Sequence, residues 1–149
     1  MAVVSVSYDR DIGASAERVY RILRDYWNHH PHILPPAFTS FAVEEGGIGT
    51  GTVIRFSVRT GGRTQHFHQR IEETTPGRVL REVDIDGDLA TTFVVTPAGE
   101  TCRVRIETTW PTKGIRGVIE RILSPRLLIP IYTEELANLD RYAREHPEV

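Results

Sequence analysis

A single cysteine, Cys102, leaves the chain no internal disulfide. Packing and hydrogen bonds must hold the fold, and a reducing compartment suits it. Lys113 is the only lysine, so nearly all the positive charge is arginine. No apolar run approaches the ~20 residues that cross a bilayer. The first residues lack the basic-then-apolar pattern of a secretory leader. These absences make a soluble, cytoplasmic protein without a membrane span the expectation. Excess charge of either sign is missing too: Lys and Arg number 18 against 20 Asp and Glu, a net charge of −2. No basic face or tail announces a nucleic-acid partner. Repeats, low-complexity tracts and linkers are absent.

What is present fits one globular domain over residues 1–149. Hydrophobic residues make up 40 % and charged residues 26 %. A chain of this length buries roughly 70 % of its unfolded surface. Val4, Val6, Tyr8 and Ile12 alternate as a strand does. Val19, Ile22, Leu23 and Tyr26 then follow at i, i+3, i+4 and i+7, as a helix does. Gly13-Ala14 makes the corner, Ser15 is placed to cap the helix, and Glu17 puts an acid in its first turn. The three prolines of Asn28-His-His-Pro-His-Ile-Leu-Pro-Pro36 predict a loop or one short helical turn.

From Phe38 to Trp110 the pattern is strand after strand. Turns fall at Gly46–Gly51, Gly61-Gly62, Pro76-Gly77, Asp86–Asp88 and Pro97–Gly99. Such spacing predicts a meandering antiparallel sheet with one apolar and one charged face. Ile54, Phe56, Val58, Phe67, Ile71, Phe93, Cys102, Val104, Ile106 and Trp110 share the apolar parity. Thr91, Thr108, Gln69 and Arg10 are polar residues with that same parity, and each needs a partner if buried. The cover for the apolar face comes last. Ile115, Val118, Ile122, Ile129, Tyr132, Leu136 and Leu139 keep helical spacing, so a long helix is expected from Ile115 to about Ala143. Pro125 and Pro130 predict a bend or break between Leu123 and Ile131.

Two chemical readings compete with this structural one. Gly46-Gly-Ile-Gly-Thr-Gly51 is glycine-rich, but it lacks nucleotide-loop spacing and enters a strand. It reads as a turn. His66 and His68 share a strand face and resemble a chelating pair, yet they oppose Phe67 and Ile71 and fall on the outer face. No carboxylate or thiol stands at a ligand spacing beside them. Neither a metal nor a cofactor is expected. Cys102 reads as a small buried hydrophobe rather than a nucleophile.

The order of strand, short helices, meander and long last helix resembles the helix-grip fold of the START-like, or SRPBCC, superfamily. Within it the chain resembles the polyketide cyclase/dehydrase-like and lipid-transport branch. The resemblance covers nearly the whole chain. It is carried by Ile12–Trp27, Gly46–Gly51, Arg70-Ile71-Glu72, Pro76-Gly-Arg78 and Glu134–Leu139. Ser15 stands where relatives often carry proline. The resemblance implies an α+β fold in which a curved antiparallel sheet wraps around the C-terminal helix. Two short helices should follow the first strand. It also implies an apolar cavity between sheet and helix and a small, largely apolar ligand such as a lipid or polyketide. The residues placed to line that cavity are Tyr26, Trp27, His30, Phe56, Phe67, Thr91, Phe93, Thr108, Trp110 and Tyr132. The family has no invariant catalytic residue to carry over. Two other functions stay open: a polyketide cyclase, aromatase or dehydratase using His30, Tyr26 or Tyr132 as acid or base, and a module that binds a protein partner.

Overall fold

The computed structural model describes residues 2–149. Strand β1 (Ala2–Ile12) leads into helix α1 (Ala16–Arg24) and a single 3-10 turn (His30–Ile33). The meander follows as β2 (Phe38–Glu45), β3 (Val53–Thr60), β4 (Arg63–Thr75), β5 (Val79–Asp84), β6 (Ala90–Ala98) and β7 (Thr101–Thr112). Helix α2 (Gly114–Glu145) closes the chain. The sheet order is β1-β7-β6-β5-β4-β3-β2, with every neighbouring pair antiparallel. This is the expected helix-grip arrangement. The second of the two short helices is reduced to the 3-10 turn, because Pro31, Pro35 and Pro36 deny it further backbone donors.

Local chemistry fixes the corner. Ser15 Oγ accepts from the Arg18 N–H at 3.3 Å, and Arg21 and Arg24 lie in the last turn of α1. Asp25 then stops the helix and accepts from the N–H groups of Trp27 and Asn28. The glycine loop seals this end: Tyr26 N–H donates to Gly47 O and Gly49 N–H to Arg24 O, both at 2.8 Å. A side chain at Gly49 would collide with Glu73 and Arg24, so the loop is a packed turn. Arg24 and Tyr20 both bond Glu73 beneath it. Burial raises the Glu73 carboxyl, but bonds from Arg24, the Thr50 N–H and Tyr20 outweigh it and bring its pKa down to about 2.

Strand parity holds along the sheet. Val4, Val6, Ile54, Phe56, Ile71, Leu80, Phe93, Val95, Cys102, Val104 and Ile106 are buried in one core with Val19, Ile22, Leu23, Leu136 and Leu139. Arg10, the charged residue of inward parity, reaches Asp140 on α2 at 3.3 Å. Asp140 also accepts from the Gly13 N–H at 2.7 Å and pairs with Arg144.

Helix α2 runs through Pro125 and Pro130 without a break, which leaves a bend as the remaining form of the expectation. Each proline removes one backbone donor, and the carbonyls so freed belong to Arg121 and Arg126, which are exposed to solvent. The apolar stripe also splits. Tyr132, Leu136, Leu139 and Ala143 are buried, whereas Ile115, Val118 and Ile122 are exposed. In that first half Gly117 packs on Thr112, and Glu120 bonds Trp110 and Thr112, so a different side of the helix faces the sheet.

Candidate functional site

The core contains a band of polar groups. On β5, Leu80 and Glu82 alternate inward, and both are buried. Register places Glu82 opposite Thr91 on β6, and Thr91 opposite Thr108 on β7. One row across the inner face therefore carries a carboxyl and two hydroxyls. Tyr26, just past α1, donates its phenol to Glu82 Oε2 at 2.7 Å. His30 stacks on Tyr26 with ring centroids 4.3 Å apart and meets Phe93 edge-on. Its Nδ1 lies 2.7 Å from Leu23 O and its Nε2 lies 3.7 Å from Glu82 Oε2. A carbonyl can only accept, so Nδ1 carries the proton and the Nε2 lone pair faces Glu82. From the other side α2 supplies Tyr132, whose hydroxyl donates to Thr108, which in turn lies 2.8 Å from Thr91 Oγ1. Glu135, three residues beyond Tyr132, is also buried.

Burial sets the protonation of this band. It pushes the Glu82 carboxyl up to about 7, against a smaller lowering by the Tyr26 hydrogen bond. Burial, with the Glu82 charge second, pushes Glu135 well above the carboxylate range. Burial brings His30 down to about 4, and its bond to Leu23 offsets only part of that. Tyr26 and Tyr132 both rise, burial first in each case. At neutral pH the band thus holds a neutral imidazole, a Glu82 balanced between its two forms, and a Glu135 whose burial favours the protonated form. Such a set can donate and accept protons at one place.

Six of the ten sequence-derived residues meet in this band: Tyr26, His30, Thr91, Phe93, Thr108 and Tyr132. Phe56 and Phe67 stack on each other at 5.3 Å further along the sheet, beside Phe38. Trp110 is half-buried and donates to Glu120 at 2.7 Å. Trp27 lies elsewhere. It is 62 % exposed, with its ring over Gly47; the turn at Asp25 carries it outward while Tyr26 points in.

Glu82 and Glu135 escape the sequence reading, although a signal exists for each. Glu82 is two residues from the inward Leu80, and Glu135 sits at i+3 from Tyr132 and i−4 from Leu139. Residue type gives no such signal, because glutamate ordinarily faces water.

Two clefts on the described residues lie outside the band. One, of about 260 Å3, is lined by Arg55, His66, Phe67, His68, Asp84 and Asp86 where β5 ends beside β4. The other, of about 320 Å3, lies between α1 and the C-terminal residues and is lined by Arg21, Arg24, Asp25, His29, Ile48, Glu148 and Val149. His68 pairs with Glu44 at 2.8 Å and Asp86 at 3.4 Å, and His66 bonds Ser57. Among the described residues no helix is long and apolar enough to cross a membrane.

The model of the family described as polyketide cyclase / dehydrase and lipid transport matches residues 3–144. The chain belongs to this family. Its fold is the helix-grip fold of the SRPBCC superfamily. KanY, known from an NMR solution structure, is similar at 29 % identity with a TM-score of 0.84, covering 97 % of this chain and 99 % of that one. The Zhui aromatase/cyclase of Streptomyces sp. R1128 shares the fold at 16 % identity and a TM-score of 0.74, covering 97 % and 96 %. Truncated norcoclaurine synthase of Thalictrum flavum shares it at 18 % identity and 0.74, over 97 % and 96 %. A comparison with curated proteins gives no match.

Proposed function

We propose that the chain binds a small, largely apolar molecule between the sheet and α2, and presents the molecule's polar group to Glu82, Tyr26, His30 and Glu135. One observation carries this reading. Two carboxyls lie buried in an apolar core, and the only hydrogen bond to either carboxyl among the described residues is the phenol of Tyr26 on Glu82. Burying a polar group without full pairing costs stability, and a ligand that completes the pairing repays that cost. Gln69 Oε1 is a further buried acceptor of inward parity without a partner among the described residues. The apolar part of the molecule would lie against Phe93, Phe56, Phe67, Trp110 and Tyr132. A polyketide-like aromatic suits that lining and those proton donors, in keeping with the family's description as polyketide cyclase / dehydrase and lipid transport. The test is titration with polyketide-like aromatic acids and phenols. Phe93→Ala should weaken binding at least tenfold, while Arg105→Ala, on the outer face, leaves it unchanged. Equal affinities in both variants would refute the reading.

A second reading, proton-transfer catalysis of a cyclisation or dehydration, is favoured by Glu82, whose carboxyl titrates near neutrality beside the His30 Nε2 lone pair. Glu82 would serve as base and Glu135 as acid. Glu82→Gln should then lower product formation by ~10²–10⁴-fold while binding persists. Product formation is followed by mass spectrometry, and turnover that survives in Glu82→Gln removes this reading.

A further inference from the structure

The first half of α2 carries a feature that the ligand site does not use. Ile115, Val118, Ile119, Ile122 and Leu123 recur at i, i+3, i+4, i+7 and i+8, and Leu127 extends the row by one turn. Ile115 is 80 % exposed and the other five between 45 % and 57 %. Gly117 and Glu120 hold the opposite side of the helix against β7, through Thr112 and Trp110. The row therefore faces solvent. Its charge is also distinctive. Lys113, Arg116, Arg121 and Arg126 lie on this stretch against Glu120 alone, a local charge of +3 in a chain whose total is −2. Arg116 pairs with Glu120, while Lys113, Arg121 and Arg126 form no ion pair among the described residues.

We infer that this half-helix is a docking surface for an anionic lipid bilayer. An exposed row of aliphatic side chains flanked by arginines matches a helix lying in the interface plane, with its apolar row among the acyl chains and its cations at the headgroups. A second copy of the chain is disfavoured by the same charges, because pairing two such helices brings their cations together. The surface gives the protein access to membrane-dissolved apolar molecules, and it stands on observations separate from those at Glu82.

The experiment is flotation of the full chain with vesicles of phosphatidylcholine alone or of phosphatidylcholine with phosphatidylserine. Binding is expected only to the anionic vesicles, and it should weaken as salt is raised. Ile119→Glu combined with Leu123→Glu should lower binding by roughly tenfold or more. Arg126→Glu should lower it by about fivefold or more, since each cation near the surface contributes about that factor. Both changes fall on exposed positions, and circular dichroism checks that the variants stay folded. Three results overturn the inference: no binding to either vesicle, equal binding to both, or a concentration-dependent dimer in sedimentation that the double glutamate variant dissolves.

Discussion

Glu82 and His30 face each other 3.7 Å apart in the core and pull stability in opposite directions with pH. His30 titrates at about 4 when folded and near its ordinary 6.5 when unfolded. Its neutral form is the one the fold accepts. Between those values the unfolded chain takes up the proton first, so stability falls as pH drops from about 6.5 to about 4. Glu82 moves the other way, from an ordinary 4.5 to about 7. The unfolded chain ionises first, so stability falls as pH rises from about 4.5 to about 7. Each contribution is on the order of 3 kcal/mol. Chemical denaturation across this range should therefore show Glu82→Gln gaining on the wild type as pH rises, and His30→Gln gaining as pH falls. A flat difference for either variant would mean that its group is solvated in the folded state. Glu135 is buried with less compensation still. Its carboxyl has burial and no hydrogen-bond partner among the described residues, so Glu135→Leu should raise the melting temperature and weaken ligand binding together. A loss of stability in that variant would make Glu135 a structural residue.

Elements were more legible than their interiors. Alternation identifies the strands because one sheet face is buried, and a slip of one residue would turn every apolar side chain outward. Turn glycines and prolines fix where each strand ends. The same parity rule places Thr91, Thr108 and Gln69 inward, where the structure has them. It also places Glu82 inward, two residues from Leu80. The long helix misleads. Spacing alone shows that Ile115, Val118 and Ile122 share a side with one another, but not which side meets the sheet. Gly117 and Glu120 decide that through contacts with β7 that are remote in sequence. Pro125 and Pro130 leave the helix unbroken because a lost backbone bond costs little where the freed carbonyl belongs to an exposed residue. The junction that fixes α2 is Asp140, which accepts from the Gly13 N–H and pairs with Arg10 and Arg144. Asp140→Ala leaves that N–H unpaired and should cost roughly 1–3 kcal/mol in urea denaturation. Arg105→Ala, an exposed residue on β7, should stay within about 0.5 kcal/mol.

At the scale of the whole molecule, the sheet, α1 and the second half of α2 enclose a largely apolar core that contains a band of proton-carrying groups. Family membership accounts for the enclosure. The band of Glu82, Tyr26, His30 and Glu135 is the reason to propose a ligand with a polar end rather than a purely apolar one. The most direct measurement is native mass spectrometry of the purified chain, as isolated and after incubation with polyketide-like aromatic acids and phenols. The account predicts a discrete added mass on the wild type that survives gentle desolvation and is lost in Phe93→Ala and in Glu135→Leu. The bare mass of the wild type under every condition, or an added mass carried equally by both variants, would contradict it.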